Sequence, residues 1–265
     1  DWGKLEVGGG WLVEDFTYNG DTVTGFSDSG RKKFDSGNTK VFMPTHSTDG
    51  RVVTTIGQSA FSGKMENGAI GSWGNITTIG NSAFSSNKIT TLPGSWGSVT
   101  KINNHVFDGN QITTLPESWG NITTIGNSAF YSNQITTLPD SWGSVTTIDS
   151  SAFSYNQITT LPESWGSVTT IGDSAFSSNK ITTLPDSWGS VTKIGNYAFY
   201  NNKITTLPES WGSVTKIGNY AFQSNKITTR DFTMPSKNLT SDFVKQVGKS
   251  SLRKNSSERI TITTD

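Results

Sequence analysis

The sequence predicts a solenoid, a chain wound into stacked coils of 23 residues, because three residue types recur at that fixed interval. A phenylalanine, a tryptophan and an asparagine each return once per coil. A period in the twenties means that each coil packs only on its neighbours. The three columns are Phe61, Phe84, Phe107, Phe130, Phe153, Phe176, Phe199 and Phe222; Trp73, Trp96, Trp119, Trp142, Trp165, Trp188 and Trp211; and Asn87, Asn110, Asn133, Asn156, Asn179, Asn202 and Asn225.

Each coil contains two short apolar phrases. The unit reads N-x-I-T-T-L-P-x-S-W-G-x-V-T-x-I-G-x-x-A-F-x-x, and only 32% of the chain is hydrophobic. A coil that buries a single inward row needs no more than that. In both I-T-T-L and V-T-x-I the apolar residues are three apart, whereas a flat strand alternates with period two. We interpret the phrases as short bent strands on two opposite walls of a flattened coil.

Other residues of the unit suit its corners. Pro116 ends the first wall because it has no N–H to donate to a ladder. Gly120 and Gly126 fall where the chain must turn. The Asn column, which includes Asn110, is predicted to satisfy backbone groups that the bend leaves unpaired.

The two ends depart from the repeat and predict caps. Residues 1–40 form the predicted N-terminal cap, with a hairpin over 16–26 because Asn19-Gly20 lies between β-forming runs. The solenoid is assigned to residues 41–230. Residues 231–265 form the predicted C-terminal cap, with a short helix over 239–248 and a strand over 259–264.

Composition excludes several classes of protein. Lys plus Arg and Asp plus Glu both number 21, so the chain has no basic excess for general binding to nucleic acid or an anionic membrane. No apolar run reaches the ~18 residues that a membrane span requires. Cysteine is absent, which excludes disulfides and thiolate metal sites. Because the chain begins at Asp1, we expect it to be a processed or excised fragment.

Catalytic motifs are also missing. His46 and His105 are the only histidines, and no H-E-x-x-H motif is present. Gly172-Asp173-Ser174 resembles the start of a nucleophile elbow, but Phe176 stands where the second glycine belongs. We therefore predict no catalytic residues, no metal, no cofactor and no enzymatic activity.

Four columns could contribute to binding. We favour burial of the Trp column over an exposed sugar-binding track, since it recurs with the core positions. For the acidic column we favour a solvated edge over a calcium site. The Thr columns do not favour ice binding, because adjacent threonines point to different sides. The fourth set, irregular tyrosines, is of the type enriched at protein interfaces. The acidic column is Glu117, Asp140, Glu163, Asp186 and Glu209.

The phrase I-G-x-x-A-F-x-x-N, preceded by L-P-x-x-x-x-x-V-x-x, resembles the leucine-rich repeat of BspA-like bacterial surface proteins, the Treponema pallidum class. The resemblance covers residues 41–230; the Ser-Trp-Gly triplet and the shortened strand phrase depart from it. It implies a right-handed leucine-rich-repeat solenoid of about eight coils, with strands, turns and short 3-10 segments. It also implies an extracellular, secreted or surface-bound adhesin.

The resemblance suggests both partners and a site. The expected partner is a host matrix or cell-surface protein, or another bacterial surface molecule, bound by a monomer. The alternative is a carbohydrate or cell-wall binding module that uses the Trp column. In the resembled family the strand ending in Pro forms the inner sheet, so we expect a concave wall of Thr113, Thr136, Thr159, Thr182 and Thr205.

A uniform polar wall offers no central anchor. We therefore predict that a protein partner contacts Tyr197, Tyr200 and Tyr220, with Lys193, Lys203 and Lys216 nearby in sequence.

Overall fold

The computed structural model describes residues 1–208 and 210–227, together with the backbone of two strands at 231–234 and 261–264. The N-terminal elements are β1 Glu6–Gly8, β2 Trp11–Leu12, β3 Phe16–Asn19, β4 Thr22–Phe26, α1 Asp28–Asp35 and β5 Lys40–Phe42, with 3-10 turns at Trp2–Lys4 and Val13–Asp15. The coil strands are β6 Thr55–Ile56, β7 Ala69–Ser72, β8 Thr78–Ile79, β9 Lys101–Ile102, β10 Thr124–Ile125, β11 Thr147–Ile148, β12 Thr170–Ile171, β13 Lys193–Ile194 and β14 Lys216–Ile217. The last two are β15 Asp231–Met234 and β16 Thr261–Thr264.

The predicted solenoid is confirmed by one continuous sheet of ten strands. Its order is β14-β13-β12-β11-β10-β9-β8-β6-β4-β3. From β6 to β14 the strands are parallel, and each residue pairs with the residue 23 positions along, as Thr124 does with Thr147. Repetition of the sequence at this interval therefore stacks identical residues on one another.

The predicted hairpin is confirmed at the N-terminal edge of this sheet. β3 runs antiparallel to β4, and Gly20 has the positive φ of 65° that the tight turn requires. β4 in turn pairs with β6 in parallel. The hairpin thus occupies the edge that the first coil would otherwise expose.

Helix α1 was not predicted from the sequence. Ser27 caps it by accepting a hydrogen bond from the Gly30 amide at 3.3 Å. The buried carboxylate of Asp15 accepts from the Leu12 amide, the Ser29 hydroxyl and the Lys33 ammonium. Burial raises the pKa of Asp15, but these hydrogen bonds outweigh it and hold the pKa below its usual range. The ionised carboxylate therefore joins the helix to the turn before it.

The core consists of stacked rows of identical side chains. Successive rings of the Phe column lie nearly parallel, as Phe130 and Phe153 do, with centroids 5.4 Å apart. The Trp rings also stack, with Trp142 and Trp165 5.9 Å apart. Every member of both columns is 3% exposed or less. Each coil thus buries its aromatic residues against the coils on either side.

The main sheet does not lie where the resemblance implied. It is formed by the V-T-x-I phrase, whereas the I-T-T-L-P segments between residues 88 and 208 are not strands. Their ladder is incomplete: the Thr136 amide donates to the Thr113 carbonyl at 3.2 Å, and the Gln134 amide to the Ile112 carbonyl at 3.0 Å. The expectation of a long sheet ending in Pro is therefore wrong. The side-chain amide of the Asn column takes one of the bonds that a regular ladder would use, since the Ile112 amide donates to Asn133 Oδ1.

At the C-terminal end, β15 and β16 pair in parallel. The predicted strand over 259–264 is confirmed for residues 261–264. The predicted helix over 239–248 lies outside the described residues.

Candidate binding surface

The sharp turn that follows the main sheet sets the direction of the exposed side chains. Besides the glycine that follows each Trp, two positions around this turn have a positive φ in every coil: one just before the Ala–Phe pair, and one two residues after the Phe. The first position is filled by Ser59, Ser82, His105, Ser128, Ser151, Ser174, Tyr197 and Tyr220, and the second by Gly63, Ser86, Gly109, Ser132, Tyr155, Ser178, Asn201 and Ser224. Left-handed backbone is unfavourable for a bulky residue. Tyrosine at such a position is therefore unusual.

The three predicted contact tyrosines are neighbours in space. Tyr197 and Tyr220 stack with centroids 5.3 Å apart, and Tyr200 meets Tyr197 edge-on at 5.6 Å. Tyr197 and Tyr220 are each 40% exposed. We call these three residues the tyrosine cluster. It forms one contiguous aromatic surface over two coils.

A second aromatic pair lies in the middle coils. Tyr131 and Tyr155 meet edge-on at 5.5 Å, and Tyr155 is 56% exposed. Tyr155 occupies the other left-handed position, with φ of 57°. This pair has the same chemistry as the tyrosine cluster without its three-residue extent.

The five threonines of the expected wall are all exposed. They follow one another up the I-T-T-L segments, linked by backbone hydrogen bonds such as that from the Thr159 amide to the Thr136 carbonyl, at 3.3 Å. Their side chains offer the same hydroxyl in each coil.

The Trp column is buried, as the sequence analysis favoured. Trp142, Trp165 and Trp188 are fully inaccessible. A sugar ring therefore has no indole face to stack on. The alternative of a carbohydrate-binding module that uses this column is wrong.

The Asn column has the predicted structural role. Asn156 Nδ2 donates to the carbonyl of Phe130 in the preceding coil at 2.8 Å and to that of Phe153 at 3.1 Å, while its Oδ1 accepts from the Ile135 amide. The other members repeat this geometry, except that Asn133 donates to the Tyr131 carbonyl instead of that of Phe130, and Asn87 accepts from the Met65 amide. The amide thus binds three backbone groups at the corner, across two coils.

A second polar ladder was missed. The residue two positions after the strand accepts, through its side-chain oxygen, from the backbone amide one coil along. Asn104 accepts from the Asn127 amide at 2.9 Å, and Asp173 from the Asn196 amide at 2.8 Å. The signal in the sequence is the recurrence of Asn or Asp in I-G-N-S-A-F.

The acidic column is solvent-exposed at Glu117, Asp140, Glu163 and Asp186; Glu209 lies outside the described residues. Asp140 and Glu163 border a surface groove of about 360 Å³ whose other lining residues are Leu138, Pro139, Thr160, Leu161 and Pro162. Across the described part of the chain, no three His, Asp or Glu residues are grouped as metal ligands would be.

Positive and negative charges are segregated along the solenoid. The net charge of the whole chain, which is zero, does not reveal this. Between residues 102 and 179 there is no Lys or Arg, whereas six carboxylates occur: Asp108, Glu117, Asp140, Asp149, Glu163 and Asp173. The next coils contain five lysines against two carboxylates, Asp186 and Glu209; the lysines are Lys180, Lys193, Lys203, Lys216 and Lys226. All five lysines are exposed, and none forms an ion pair with a described residue. We call 102–179 the acidic span and 180–227 the basic span.

The stacked 23-residue coils and the main sheet define the chain as a leucine-rich-repeat solenoid, a class of scaffold that presents an extended surface. The sequence matches the model of the BspA type leucine rich repeat region in six copies, over residues 45–159 and 146–265. The chain belongs to this family. No curated protein sequence matches it.

Solved structures resemble the chain at low identity. A leucine rich cell surface protein from Faecalibacterium prausnitzii A2-165 is 23% identical with a TM-score of 0.44, over 80% of this chain and 53% of the other. The chain thus spans about half the length of that protein. A leucine-rich repeat protein from Bacteroides ovatus is 19% identical with a TM-score of 0.44, over 85% and 71%. The T. pallidum leucine rich repeat protein is 19% identical with a TM-score of 0.27, over 90% and 94%. No helix among the described residues could cross a membrane.

Proposed function

We propose that this chain is an extracellular, non-catalytic scaffold that binds a host matrix or cell-surface protein, or another bacterial surface molecule, through the tyrosine cluster. The observation that carries the proposal is the contact of Tyr197 with both Tyr200 and Tyr220 at a solvent-exposed turn. Clustered Tyr side chains are enriched at binding hot spots because they bury a large area with little loss of rotamer freedom. The family supports the scaffold role, and the name of the F. prausnitzii protein supports a surface location.

Backbone geometry adds a second argument. Tyr197 and Tyr220 occupy left-handed positions that six other coils fill with Ser or His. A tyrosine there adds nothing to the buried core, since it is 40% exposed and its ring packs on the other tyrosines of the cluster. Strained residues that persist without a packing role are typical of functional sites.

The test is surface plasmon resonance of the purified chain against immobilised matrix proteins and glycans. The binding variant replaces Tyr197, Tyr200 and Tyr220 by Ser, the residue that other coils place at the same positions. The matched control replaces Tyr131 and Tyr155 by Ser. We expect the parent chain to bind one of the immobilised proteins. The first variant should lose this binding, and the second should retain it. A third variant, with Thr→Lys at 159, 182 and 205, tests the wall; loss of binding only there would overturn the choice of surface.

A further inference from the structure

We propose that the partner of the tyrosine cluster presents an acidic polypeptide segment, held by Lys193 and Lys216 beside the tyrosines. This inference rests on the proposed function and adds the chemistry of the partner. Both lysines lie on the exposed face of the last two strands of the main sheet, and they are paired with each other in the register. Each is followed four residues later by Tyr197 or Tyr220.

The two lysines face no compensating charge in the described structure. Neither forms an ion pair, although the six ion pairs elsewhere in the described chain include four made by lysine or histidine with a nearby carboxylate. Side chains on adjacent strands at about 4.8 Å repel when they carry the same charge. Asp173, in the polar ladder beside these strands, accepts a hydrogen bond from the Asn196 amide and forms no ion pair with either lysine. An external carboxylate would relieve the repulsion between the lysines.

In the last five strands of the main sheet, lysine occurs at this position only in β13 and β14. In β10, β11 and β12 the equivalent residues are Thr124, Thr147 and Thr170, and the same coils have Ser before the Ala–Phe pair. In β13 and β14 both positions change together, from Thr to Lys and from Ser to Tyr. The paired change puts an exposed lysine four residues before each of Tyr197 and Tyr220, and positive charge in the same coils as an aromatic surface can steer and orient a charged partner.

The ring geometry favours a polypeptide over an anionic polysaccharide. Tyr220 covers one face of Tyr197, and Tyr200 lies edge-on to the same ring. Sugar binding uses open aromatic faces, whereas polypeptide segments also use ring edges and hydroxyl groups. Side chains on one face of an extended segment repeat at about 6.6 Å, within reach of two flexible lysines on adjacent strands.

The experiment measures binding of fluorescent poly-L-glutamate of about 20 residues, with poly-L-lysine and heparin as further arms, at about 0.05 M and about 0.5 M salt. The test variant is Lys193→Thr with Lys216→Thr, which restores the residue of β10 to β12. The control is Lys101→Thr, at the same position in β9. We expect poly-L-glutamate to bind more tightly than heparin, and the double variant to weaken it roughly tenfold. We expect the control to match the parent, and the high salt concentration to weaken binding in both.

Three results would overturn the inference: no binding of poly-L-glutamate, equal loss in the control, or tighter binding of heparin, which would assign the surface to a polysaccharide. Sedimentation of the chain alone supplies a fourth. Concentration-dependent association that the double Lys variant abolishes would make the occupant the acidic span of a second copy.

Binding of a matrix protein that survives the Lys variant and high salt, yet is lost with the Tyr→Ser variant, would overturn only this inference. If neither variant affects that binding, the proposed function itself fails.

Discussion

The acidic span and the basic span have the same backbone and the same core but surfaces of opposite net charge. Trp142 in the first and Trp188 in the second are equally inaccessible, and the Asn corner has the same three hydrogen bonds in both. The acidic span carries six carboxylates and no Lys or Arg, whereas the basic span carries five lysines, two carboxylates and the tyrosine cluster. The comparison teaches that inward positions hold the stack together and that only outward positions can distinguish one coil from the next.

The strongest test of the common core is to remove one tryptophan from each span. We expect Trp142→Ala and Trp188→Ala each to lower the free energy of unfolding by about 3–5 kcal/mol, because each leaves a cavity between stacked rings. Urea unfolding followed by circular dichroism measures the effect. A loss of less than about 1 kcal/mol in either variant would show that its indole is accessible.

The Asn corner offers the next largest effect. Asn156→Ala in the acidic span and Asn202→Ala in the basic span each leave two Phe carbonyls and one Ile amide without the side-chain partner. A buried polar group left unsatisfied costs about 1–3 kcal/mol, so we expect a loss of about 2–4 kcal/mol at both sites. Equal losses in urea unfolding support a common scaffold. If the two differ several-fold, the corners are not equivalent.

Much of this architecture could be predicted from the sequence, and the reasons are physical. A strict repeat places every Phe130-like residue in the same environment, so the period alone implies the stack and the buried columns. The choice of wall for the main sheet could not be predicted. Both phrases contain β-branched residues, and the bonds of the Asn side chains, which replace part of one ladder, depend on their three-dimensional placement.

The candidate surface was predictable only in part. The tyrosines stood out because they break the repeat. Their contacts depend on the left-handed backbone of the turn, and the Ser that most coils have at this position does not indicate such a backbone. Helix α1 was missed because its capping Ser27 and short apolar face resemble a loop. The charge segregation was visible in the sequence but lost in a net charge of zero.

A smaller change in stability is expected where serine occupies a left-handed backbone position. Ser132 in the acidic span and Ser224 in the basic span have φ of 57° and 60°, at the position where Gly63 and Gly109 occur in other coils. Glycine adopts this backbone without a Cβ clash, so Ser→Gly should raise stability by about 0.5–1 kcal/mol at each site, relief of strain exceeding the extra freedom of the unfolded chain. Thermal unfolding of the two single variants measures it. A decrease in stability at both sites would mean that the coil does not impose the strain.

The smallest expected effect concerns the two columns of like charge. Asp140 lies between Glu117 and Glu163, and Lys203 between Lys180 and Lys226, one coil apart in each case. Neighbouring coils lie at about 4.8 Å, so each central charge is repelled from both sides. We expect Asp140→Asn and Lys203→Gln each to raise stability by about 0.2–0.5 kcal/mol at low salt, because exposed charges interact weakly. The gain should vanish near 1 M salt, where the screening length falls to about 3 Å.

Thermal melts at both salt concentrations are the measurement. The control is Lys88→Gln, which should lower stability or leave it unchanged, since Lys88 pairs with Glu66. A gain at Asp140 without one at Lys203 would indicate that the long lysine side chains already spread apart in solvent. The basic span would then present mobile charges to a partner, whereas the acidic span would present fixed ones.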